Sequence, residues 1–473
     1  MSSCPARGLG SRVGHLHGLS YVTSHLSLTF HHQPPVIFFP DRREVFDAGE
    51  RRTGPARPGP GHHRGLQGRL FYRPLPHVLA PAFSLVILAR SCAKADTDPN
   101  KLNLGVGAYR TEELQPYVLG VVRTAEERML AANENKEYLP IEGLASFRQA
   151  TVELLLGGDS KAVKENRVAT LQALSGTGSL AVAAQFIHQF MPGKTVYISN
   201  PSWPNHKNIF ALAGVQHDTY RYFDPKNIAL DFDGMIEDIS NAPDGSIILL
   251  HGCAHNPTGI DPTKEQWAKI ADVIEKKGHM SFFDVAYQGF ASGSLVEDAY
   301  APRYFESRGM ELMVAQSYSK NLGLYAERVG ALNIITKDAE TTTRVLSQMK
   351  RLARAIWSNP PVHGARIVAE VVNNGELFKE WEGEMELMSG RIKEVRKVLR
   401  EKLEALNPDR DWSFITSQIG MFTYTGCTVP QVENMTNKWH VYMTKDGRIS
   451  LAGLSLSKCQ WLAEAIDDSV RNF

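Results

Sequence analysis

Between residues 169 and 320 the chain repeats one pattern: a short apolar run, a polar or glycine-rich loop, and a stretch with helical spacing. Three runs show it clearly, namely SIILL at 246–250 before HGCAHNPTG, MSFF at 280–283 before DVAYQGF, and LMVA at 312–315 before QSYSKNLG. Such short continuous apolar runs predict strands that are buried on both faces. The repeat therefore predicts an α/β fold with a mostly parallel sheet covered by helices.

The segment between the first two runs has the spacing of an amphipathic helix. Apolar residues stand at positions 267, 270, 271 and 274, which share one helical face, and Thr263 with Gln266 forms a plausible capping box. Parallel strands need a crossover connection of this kind. We therefore expect helices to join the strands and to cover the sheet.

Polar side chains directly follow the apolar runs. Ligands of open parallel sheets bind beyond the carboxyl ends of the strands, so these side chains are candidates for a functional site. Taken singly, a lysine after a strand is usually a surface residue and an aspartate is usually a cap or turn residue. Only their common placement indicates a site. The candidates are Asn256, Asp284, Tyr287, Ser317, Ser319 and Lys320.

A fourth unit predicts a phosphate site. The apolar run at 169–174 leads through SGTG at 175–178 into a helical stretch at 179–190. Free backbone N–H groups and the helix dipole favour an anion at such a point, although a turn of small residues before a helix is more often only a turn. Arg328 could clamp the same phosphate, or it could pair with a nearby carboxylate.

These groups together would suit a phosphorylated carbonyl cofactor. A partly desolvated lysine amine forms a Schiff base, a buried carboxylate can keep a pyridine nitrogen protonated, and a helix N-terminus can hold a phosphate. These are the requirements of pyridoxal 5'-phosphate.

Charge and cysteine content favour a small-molecule ligand. The 473 residues include 52 Lys and Arg against 51 Asp and Glu, a net charge of +1, which favours neither a nucleic-acid nor an anionic-membrane partner. No apolar run reaches the ~20 residues of a membrane helix. Five scattered cysteines without a CxxC pair favour reduced thiols, so we expect no metal site and no disulfide framework.

The composition changes near residue 93. Residues 1–93 hold eleven arginines, no lysine, four acidic residues and eight of the sixteen histidines. The stretch at 54–65 has no periodicity that could bury a face, so we expect a disordered extension. An organelle-targeting leader is one interpretation, and an unstructured extension without such a role is the other.

The sequence after about residue 385 predicts a second, smaller α+β domain. Helical spacing at 394–406 is followed by strand-like segments at 420–424 and 440–443 and by a helical stretch at 458–470. We expect an N-terminal extension at 1–93, an N-terminal part of the small domain at 94–116, a large cofactor-binding domain at 117–387 and the C-terminal small domain at 388–473.

From about residue 96 to the C-terminus the chain resembles the pyridoxal-phosphate-dependent aminotransferases of fold type I, and within them the eukaryotic aspartate aminotransferases. Nine segments carry this resemblance in order and spacing: NLGVGAYR at 103–110, NKEYLPI at 135–141, LSGTGSL, NPSWPNH at 200–206, HGCAHNPTG, FFDVAYQGF, QSYSKNLGLYAERVG, WSNPPVHGAR at 357–366 and KDGRISLAGL at 445–454.

The resemblance implies roles around the cofactor ring. Lys320 would form the Schiff base and, once released, move the proton between the substrate Cα and the cofactor. Asp284 would pair with the pyridinium nitrogen. Tyr287 and Asn256 would hydrogen-bond the phenolic oxygen, and Trp203 would stack on the ring and border the substrate. Core packing is the ordinary alternative for the tryptophan.

The resemblance also implies a phosphate site that two subunits share. Its residue from the neighbouring subunit would be Tyr138, so a homodimer would be needed for activity. The other phosphate ligands would be Ser175, Gly176, Thr177, Ser317 and Arg328.

Two arginines imply a dicarboxylate substrate. Arg448 would bind the α-carboxylate, with Gly107 and Asn256 around the same group, and Arg354 of the partner subunit would bind the distal carboxylate. A surface position in a basic helix is the ordinary alternative for Arg354. The resemblance thus implies reversible transfer of the amino group of aspartate to 2-oxoglutarate, in a ping-pong cycle without a metal.

One part of the family pattern has no counterpart in the sequence. Residues 1–93 do not resemble the N-terminal arm and the short closing helix of the family. We therefore expect a weakened dimer and poor closure, and a cofactor-binding homologue with impaired turnover is the rival hypothesis. Another specificity, such as aromatic aminotransfer, is a third. The location would be cytoplasmic or organellar, in a mitochondrion or plastid, rather than secreted.

Overall fold

A seven-stranded sheet lies at the centre of the structure, a computed structural model that describes residue 93 and residues 95–473. The predictions for residues 1–92, a disordered extension or a leader, lie outside the described residues. The strands of the described part are β1 (Leu102–Asn103), β2 (Val168–Leu174), β3 (Val196–Asn200), β4 (His217–Arg221), β5 (Phe223–Asp224), β6 (Ala229–Leu230), β7 (Ile247–His251), β8 (Met280–Val285), β9 (Leu312–Ser317), β10 (Val329–Ile335), β11 (Phe422–Tyr424), β12 (Val441–Tyr442) and β13 (Arg448–Ser450).

The central sheet is mostly parallel, as the apolar runs predict. Its strand order is β2-β10-β9-β8-β7-β3-β4, and only β10 runs against its two neighbours. The three runs of the sequence are confirmed as β7, β8 and β9, although β7 begins one residue later than its run and β8 and β9 each end two residues after theirs.

Helices connect the strands and cover the sheet. The α-helices among the described residues are α1 (Gly120–Ala131), α2 (Ala145–Leu156), α3 (Lys161–Lys164), α4 (Ser175–Phe190), α5 (Asn205–Leu212), α6 (Phe232–Asn241), α7 (Lys264–Lys277), α8 (Tyr300–Ser307), α9 (Ala339–Ile356), α10 (His363–Asn373), α11 (Gly375–Leu406), α12 (Phe414–Ser417), α13 (Val429–Trp439) and α14 (Cys459–Asn472).

Both faces of the sheet are buried. Neighbouring residues of β8 show this, because Phe282 packs into one apolar cluster and Phe283 into another on the opposite face. On the second face Trp267 of α7 packs against Phe283, with ring centroids 6.0 Å apart. The capping box of α7 is confirmed, since the side chains of Thr263 and Gln266 each accept a hydrogen bond from the other's backbone N–H.

Two helix boundaries differ from the sequence-based expectation. The tetrapeptide SGTG is the first turn of α4, so the helix begins at residue 175 and not at 179. Glycine lowers helix propensity, but here the first turn packs against the end of β9, and tertiary contacts outweigh propensity. Helix α11 is also longer than its predicted part at 394–406, because its first half packs against the core through Trp381 and Met385.

The C-terminal part contains the predicted mixture of strands and helices. Strands β11 and β13 pair antiparallel, and β12 pairs in parallel with β1 from the beginning of the described chain. The long helix α11 and the last helix α14 pack in the same core cluster, through Leu399 and Leu462 among others. The domain boundaries at 93/94, 116/117 and 387/388 stay a prediction.

Candidate active site

The carboxyl ends of β7, β8 and β9 meet at one edge of the sheet, and the beginning of the antiparallel β10 lies at the same edge. Gly330 of β10 pairs with Ser317 at the end of β9, so Arg328 lies beside the end of β9. A Cβ at Gly330 would lie 2.4 Å from the carbonyl oxygen of Gln316, so only glycine allows this approach. The edge therefore gathers residues that are distant in the sequence.

Lys320 follows β9 and places its amine over a tyrosine ring. Its Nζ lies 4.9 Å from the ring centroid of Tyr287. Burial lowers the pKa of Lys320 below its ordinary value; the negative charge of Asp284 opposes this effect and the positive charge of Arg328 adds to it. A lysine amine with a lowered pKa is a better nucleophile and base near neutral pH.

Asp284 is a buried carboxylate with one oxygen in use. Nε2 of His206 lies 2.9 Å from Oδ2, whereas the buried Oδ1 has no hydrogen-bond partner among the described residues. Burial raises the pKa of Asp284, but the hydrogen bond from His206 and nearby positive charge outweigh it, so the pKa lies below its ordinary value. Oδ1 is therefore an ionised acceptor that can receive an N–H from a ligand.

A directed chain of hydrogen bonds fixes the proton on His206. The backbone N–H of Asn256 donates to Nδ1 of His251 at 3.3 Å, and burial lowers the pKa of His251 to about 3, so its ring is neutral with the proton on Nε2. Nε2 of His251 then donates to Oγ of Ser202 at 3.1 Å, and this hydroxyl donates to Nδ1 of His206 at 3.0 Å. His206 must consequently donate from Nε2 to Asp284.

Asn256 connects the phenol with an arginine. Its Nδ2 donates to the hydroxyl of Tyr287 at 3.4 Å, and its Oδ1 accepts from Nη1 of Arg448 at 3.3 Å. Nη2 of Arg448 donates to the carbonyl oxygen of Gly105 at 3.0 Å. The predicted substrate-binding arginine and the predicted cofactor-binding amide thus lie together.

Gly107 lies on the aromatic ring that also supports Arg448. The guanidinium carbon of Arg448 is 4.5 Å from the ring centroid of Phe422, and a Cβ at Gly107 would lie 2.6 Å from Cζ of that ring. The ring is buried and also packs edge-on against Tyr287, with centroids 5.8 Å apart. Phe422 therefore packs against residues of both the predicted substrate site and the predicted cofactor site.

Three serine hydroxyls meet at the N-terminus of α4. Oγ of Ser175 lies 2.9 Å from Oγ of Ser317 and 2.7 Å from Oγ of Ser319, and Nη1 of Arg328 donates to Ser319 at 3.3 Å. A Cβ on Gly176 would come within 3.4 Å of Ser317. Free backbone N–H groups, hydroxyls and a guanidinium at a helix N-terminus form an anion site.

Four predicted residues remain, and two of them, Trp203 and Thr177, lie beside this arrangement. The half-buried ring of Trp203 is 5.2 Å from that of His206, so it lies beside the histidine that holds Asp284. Thr177 is exposed in the first turn of α4. Tyr138 is 84% exposed, and Arg354 is exposed in the last turn of α9. Neither of these last two forms a side-chain hydrogen bond or an ion pair with the other predicted residues within the described chain.

Sequence reasoning did not assign roles to Ser202, His206, His251 or Phe422. Two of them stand in the NPSWPNH segment, where Ser202 and His206 are four residues apart. Ser202 precedes α5, which begins at Asn205, so the spacing is not that of a helix face, and nothing in the segment identifies a buried carboxylate on another strand as the partner of His206. Contact with Asp284 is a property of the fold.

The described part of the chain shows neither a metal-ligand cluster nor a membrane-spanning helix. Among residues 93 and 95–473, no group of three or more His, Cys, Asp or Glu is placed to hold a metal ion. The helices of the described part include none that is long and apolar enough to cross a membrane. The described cysteines, Cys253, Cys427 and Cys459, are buried free thiols.

The chain belongs to the class I and II aminotransferase family, whose pattern matches residues 99–466. It is 66% identical over 380 residues to the chloroplastic aspartate aminotransferase of Arabidopsis thaliana, covering 80% of this chain and 84% of the relative. It is 65% identical over 377 residues to the mitochondrial aspartate aminotransferase P2 of Lupinus angustifolius, covering 80% and 83%. These two relatives are named for different organelles, so the likeness itself assigns no compartment.

A solved structure confirms the predicted fold. The aromatic-amino-acid aminotransferase of Burkholderia pseudomallei, covalently bound to pyridoxal phosphate, superimposes with a TM-score of 0.81 and 41% sequence identity, covering 83% of this chain and 98% of that one. The α/β fold of the pyridoxal-phosphate-dependent aminotransferases is therefore the fold of this chain.

Proposed function

We propose that this protein acts as an aspartate aminotransferase, which transfers the amino group of L-aspartate to 2-oxoglutarate and yields oxaloacetate and L-glutamate. The observation that carries the proposal is the amine of Lys320, held over Tyr287 near a buried carboxylate, Asp284, whose Oδ1 has no partner in the described chain. Two relatives at 65% and 66% identity that bear this name support the substrate pair.

The described residues fit pyridoxal 5'-phosphate. The unpaired Oδ1 of Asp284 is suited to a pyridinium N–H, and the serine cluster at the N-terminus of α4, with Arg328, is suited to a phosphate. Lys320 would hold the carbonyl end, and Trp203 would border the ring. When bound, this cofactor supplies an electron-poor ring that accepts the electron pair left when the substrate Cα loses its proton.

The chain's own residues would prepare and move that proton. Lys320, with its lowered pKa, would take the proton from the substrate Cα and return it to the cofactor carbon C4′. Asp284 would stay ionised because His206 donates to Oδ2. Asn256 and Tyr287 would hydrogen-bond the phenolic oxygen of the cofactor. These two side chains are already hydrogen-bonded to each other, so they would be in place to set the proton affinity of the nitrogen that Lys320 contributes.

Two arginines would select a dicarboxylate. Arg448, over the ring of Phe422 and next to Gly107, would bind the α-carboxylate in a bidentate contact, and Arg354 would bind the distal carboxylate. In the homodimer proposed below, a substrate without the second carboxylate would leave the guanidinium of Arg354 desolvated and without an anion, which costs several kcal/mol. Aspartate, glutamate and their 2-oxo acids meet both requirements.

The active form would be a homodimer in which the partner subunit supplies Tyr138 and Arg354. Both residues are exposed in the single chain. The segments that carry them are tied together, because Nδ2 of Asn359, shortly after α9, donates to the carbonyl oxygen of Leu139 at 2.6 Å. Ile356, at the end of α9, is an exposed apolar side chain on the same segment. Tyr138 and Arg354 would therefore contact the same surface of the partner subunit.

Turnover with the purified protein tests the activity. We expect added pyridoxal 5'-phosphate to bind stoichiometrically and aspartate with 2-oxoglutarate to give oxaloacetate, measured by a coupled dehydrogenase. Lys320→Ala should abolish turnover while still binding the cofactor phosphate. Turnover of phenylalanine in preference to aspartate would contradict the proposal and would favour aromatic aminotransfer. The relatives do not favour the other hypothesis, a cofactor-binding homologue with impaired turnover.

Subunit complementation tests the homodimer. Lys320→Ala alone would be inactive and Arg354→Ala alone nearly so, but a mixed dimer would contain one intact site. Co-expression in equal amounts should restore about a quarter of the wild-type activity, since about half of randomly formed two-fold dimers are mixed and each has one of two sites intact. No recovery, with mixed dimers present by mass spectrometry, would exclude a residue donated across the interface.

A further inference from the structure

The loop after β7 is held by a carboxylate, Asp261, whose hydrogen bonds in the described chain go to none of the predicted cofactor or substrate residues. Oδ2 of Asp261 accepts a hydrogen bond from the backbone N–H of Ala254 at 2.6 Å, and Oδ1 accepts one from the backbone N–H of His255 at 2.8 Å. Two successive amides thus point at one side chain. Asn256 is the next residue of the loop.

The loop needs such a restraint because its backbone is unusual. Ala254 has a φ of +48°, a left-handed conformation that residues with a Cβ rarely adopt. The conformation lets both amides face Asp261. It also lets the methyl group of Ala254 fill the space above Gly420, where a Cβ would lie only 2.5 Å from it. A strained loop of this kind persists only if its surroundings hold it.

The same loop is hydrogen-bonded to the segment that carries Phe422, the aromatic ring beneath Arg448. The backbone N–H of Ile419 donates to the carbonyl oxygen of Gly259 at 2.6 Å. A Cβ on Gly259 would lie 2.8 Å from the carbonyl oxygen of Phe422, whose ring lies under Arg448. Movement of the loop would therefore disturb both Asn256 and the ring beneath the arginine.

Asp261 has no cationic partner among residues 93 and 95–473. Burial raises the pKa of Asp261 to about 6, the two backbone N–H groups oppose this, and the nearby carboxylate of Asp298 adds to it. The side chain is half-buried, and its acceptor capacity is used on the loop backbone. This use indicates a positional role.

We propose that Asp261 is a positioning residue that holds Asn256 in place to contact both Tyr287 and Arg448. It acts through the loop backbone and touches neither substrate nor cofactor. The proposal rests on the proposed function for its kinetic consequence. The structural consequence, a fixed conformation at residues 254–256, is independent of the reaction.

Asp231 offers a matched control. Its Oδ1 accepts from the backbone N–H of Gly234 at 2.9 Å and caps α6. Asp231→Asn changes the same chemical group in a cap outside the candidate site. Asp261→Asn keeps the size of the side chain but directs an NH₂ group at one of two backbone N–H groups, so one hydrogen bond becomes a repulsion.

The first measurement is amide hydrogen exchange by mass spectrometry on the cofactor-free chain. We expect Asp261→Asn to speed exchange of peptides covering residues 252–259 at least tenfold, while Asp231→Asn leaves these peptides unchanged. Equal protection of the loop in Asp261→Asn and wild type would overturn the proposal. A variant that fails to fold would be replaced by Asp261→Ser, whose short side chain loses at least one of the two acceptor oxygens and is subject to the same criterion.

The second measurement uses the cofactor-loaded enzyme. We expect Asp261→Asn to raise KM for aspartate about tenfold while kcat falls less than about threefold, because one anchoring bond of the substrate carboxylate site is weakened. Asp231→Asn should change neither. Parallel changes in both variants would show a stability effect only and would overturn the positional role. If wild type lacked aminotransfer altogether, the proposed function would fail, and hydrogen exchange alone would decide on Asp261.

Discussion

Replacing Ser202 with alanine tests the directed hydrogen-bond chain behind the candidate cofactor site. The hydroxyl of Ser202 is the only link in the described chain that both accepts from His251 and donates to His206. Ser202→Ala therefore leaves Nδ1 of His206 without a donor and Nε2–H of His251 without an acceptor. Both rings are buried, His206 completely and His251 to all but 7% of its surface.

The expected loss follows from these two orphaned groups. A buried polar group without a partner costs roughly 1–3 kcal/mol, and because Ser202 is only half-buried we expect about 2–4 kcal/mol for the pair. The free energy of unfolding of the cofactor-free protein, from urea titration, should fall by this amount. Ser202→Thr keeps the hydroxyl and should lose less than about 1 kcal/mol. Equal unfolding midpoints for Ser202→Ala and Ser202→Thr would refute the chain.

Three further perturbations have defined outcomes. Arg354→Leu should lower kcat/KM for aspartate roughly 150-fold, which corresponds to a loss of about 3 kcal/mol of transition-state stabilisation, and should leave kcat/KM for alanine within about threefold. Equal losses for both substrates would contradict a distal-carboxylate role. Gly107→Ala should raise KM for 2-oxoglutarate about tenfold, because its Cβ would overlap the ring of Phe422 at 2.6 Å, and an unchanged KM would show that the ring moves aside freely. The hydrogen bond to Asp96 raises the pKa of His440. The melting temperature of wild type should therefore exceed that of His440→Gln by its full amount below pH 6.5, and this difference should disappear as the pH rises through the raised pKa. A difference in melting temperature that grows with pH would contradict this sign.

The sequence predicted the sheet well because its signal is local. Short apolar runs bounded by polar loops identify β7, β8 and β9, and the topology of parallel sheets then brings Asn256, Asp284 and Lys320 to one edge. The beginning of α4 was misjudged, because a glycine-rich tetrapeptide reads as a turn until its packing against β9 is known.

The supporting residues could not be predicted, because their roles depend on contacts between distant segments. His206 is recognisable only beside Asp284, and Phe422 only beneath Arg448. Asp261 stands in a sequence that also suits a simple turn, and its role depends on the left-handed backbone of Ala254. Residue types suggest chemistry, whereas geometry decides which groups share a site.

Aminotransfer by this protein would depend on a half-reaction centred on Lys320. The cofactor-loaded protein would be mixed with L-aspartate in the absence of any 2-oxo acid, and the oxaloacetate released would be counted per subunit. We predict one equivalent per subunit, with a matching change in the absorbance of the bound cofactor, reversal on adding 2-oxoglutarate, and no oxaloacetate from Lys320→Ala. Cofactor binding without any release of oxaloacetate, or equal release from Lys320→Ala, would contradict the central claim.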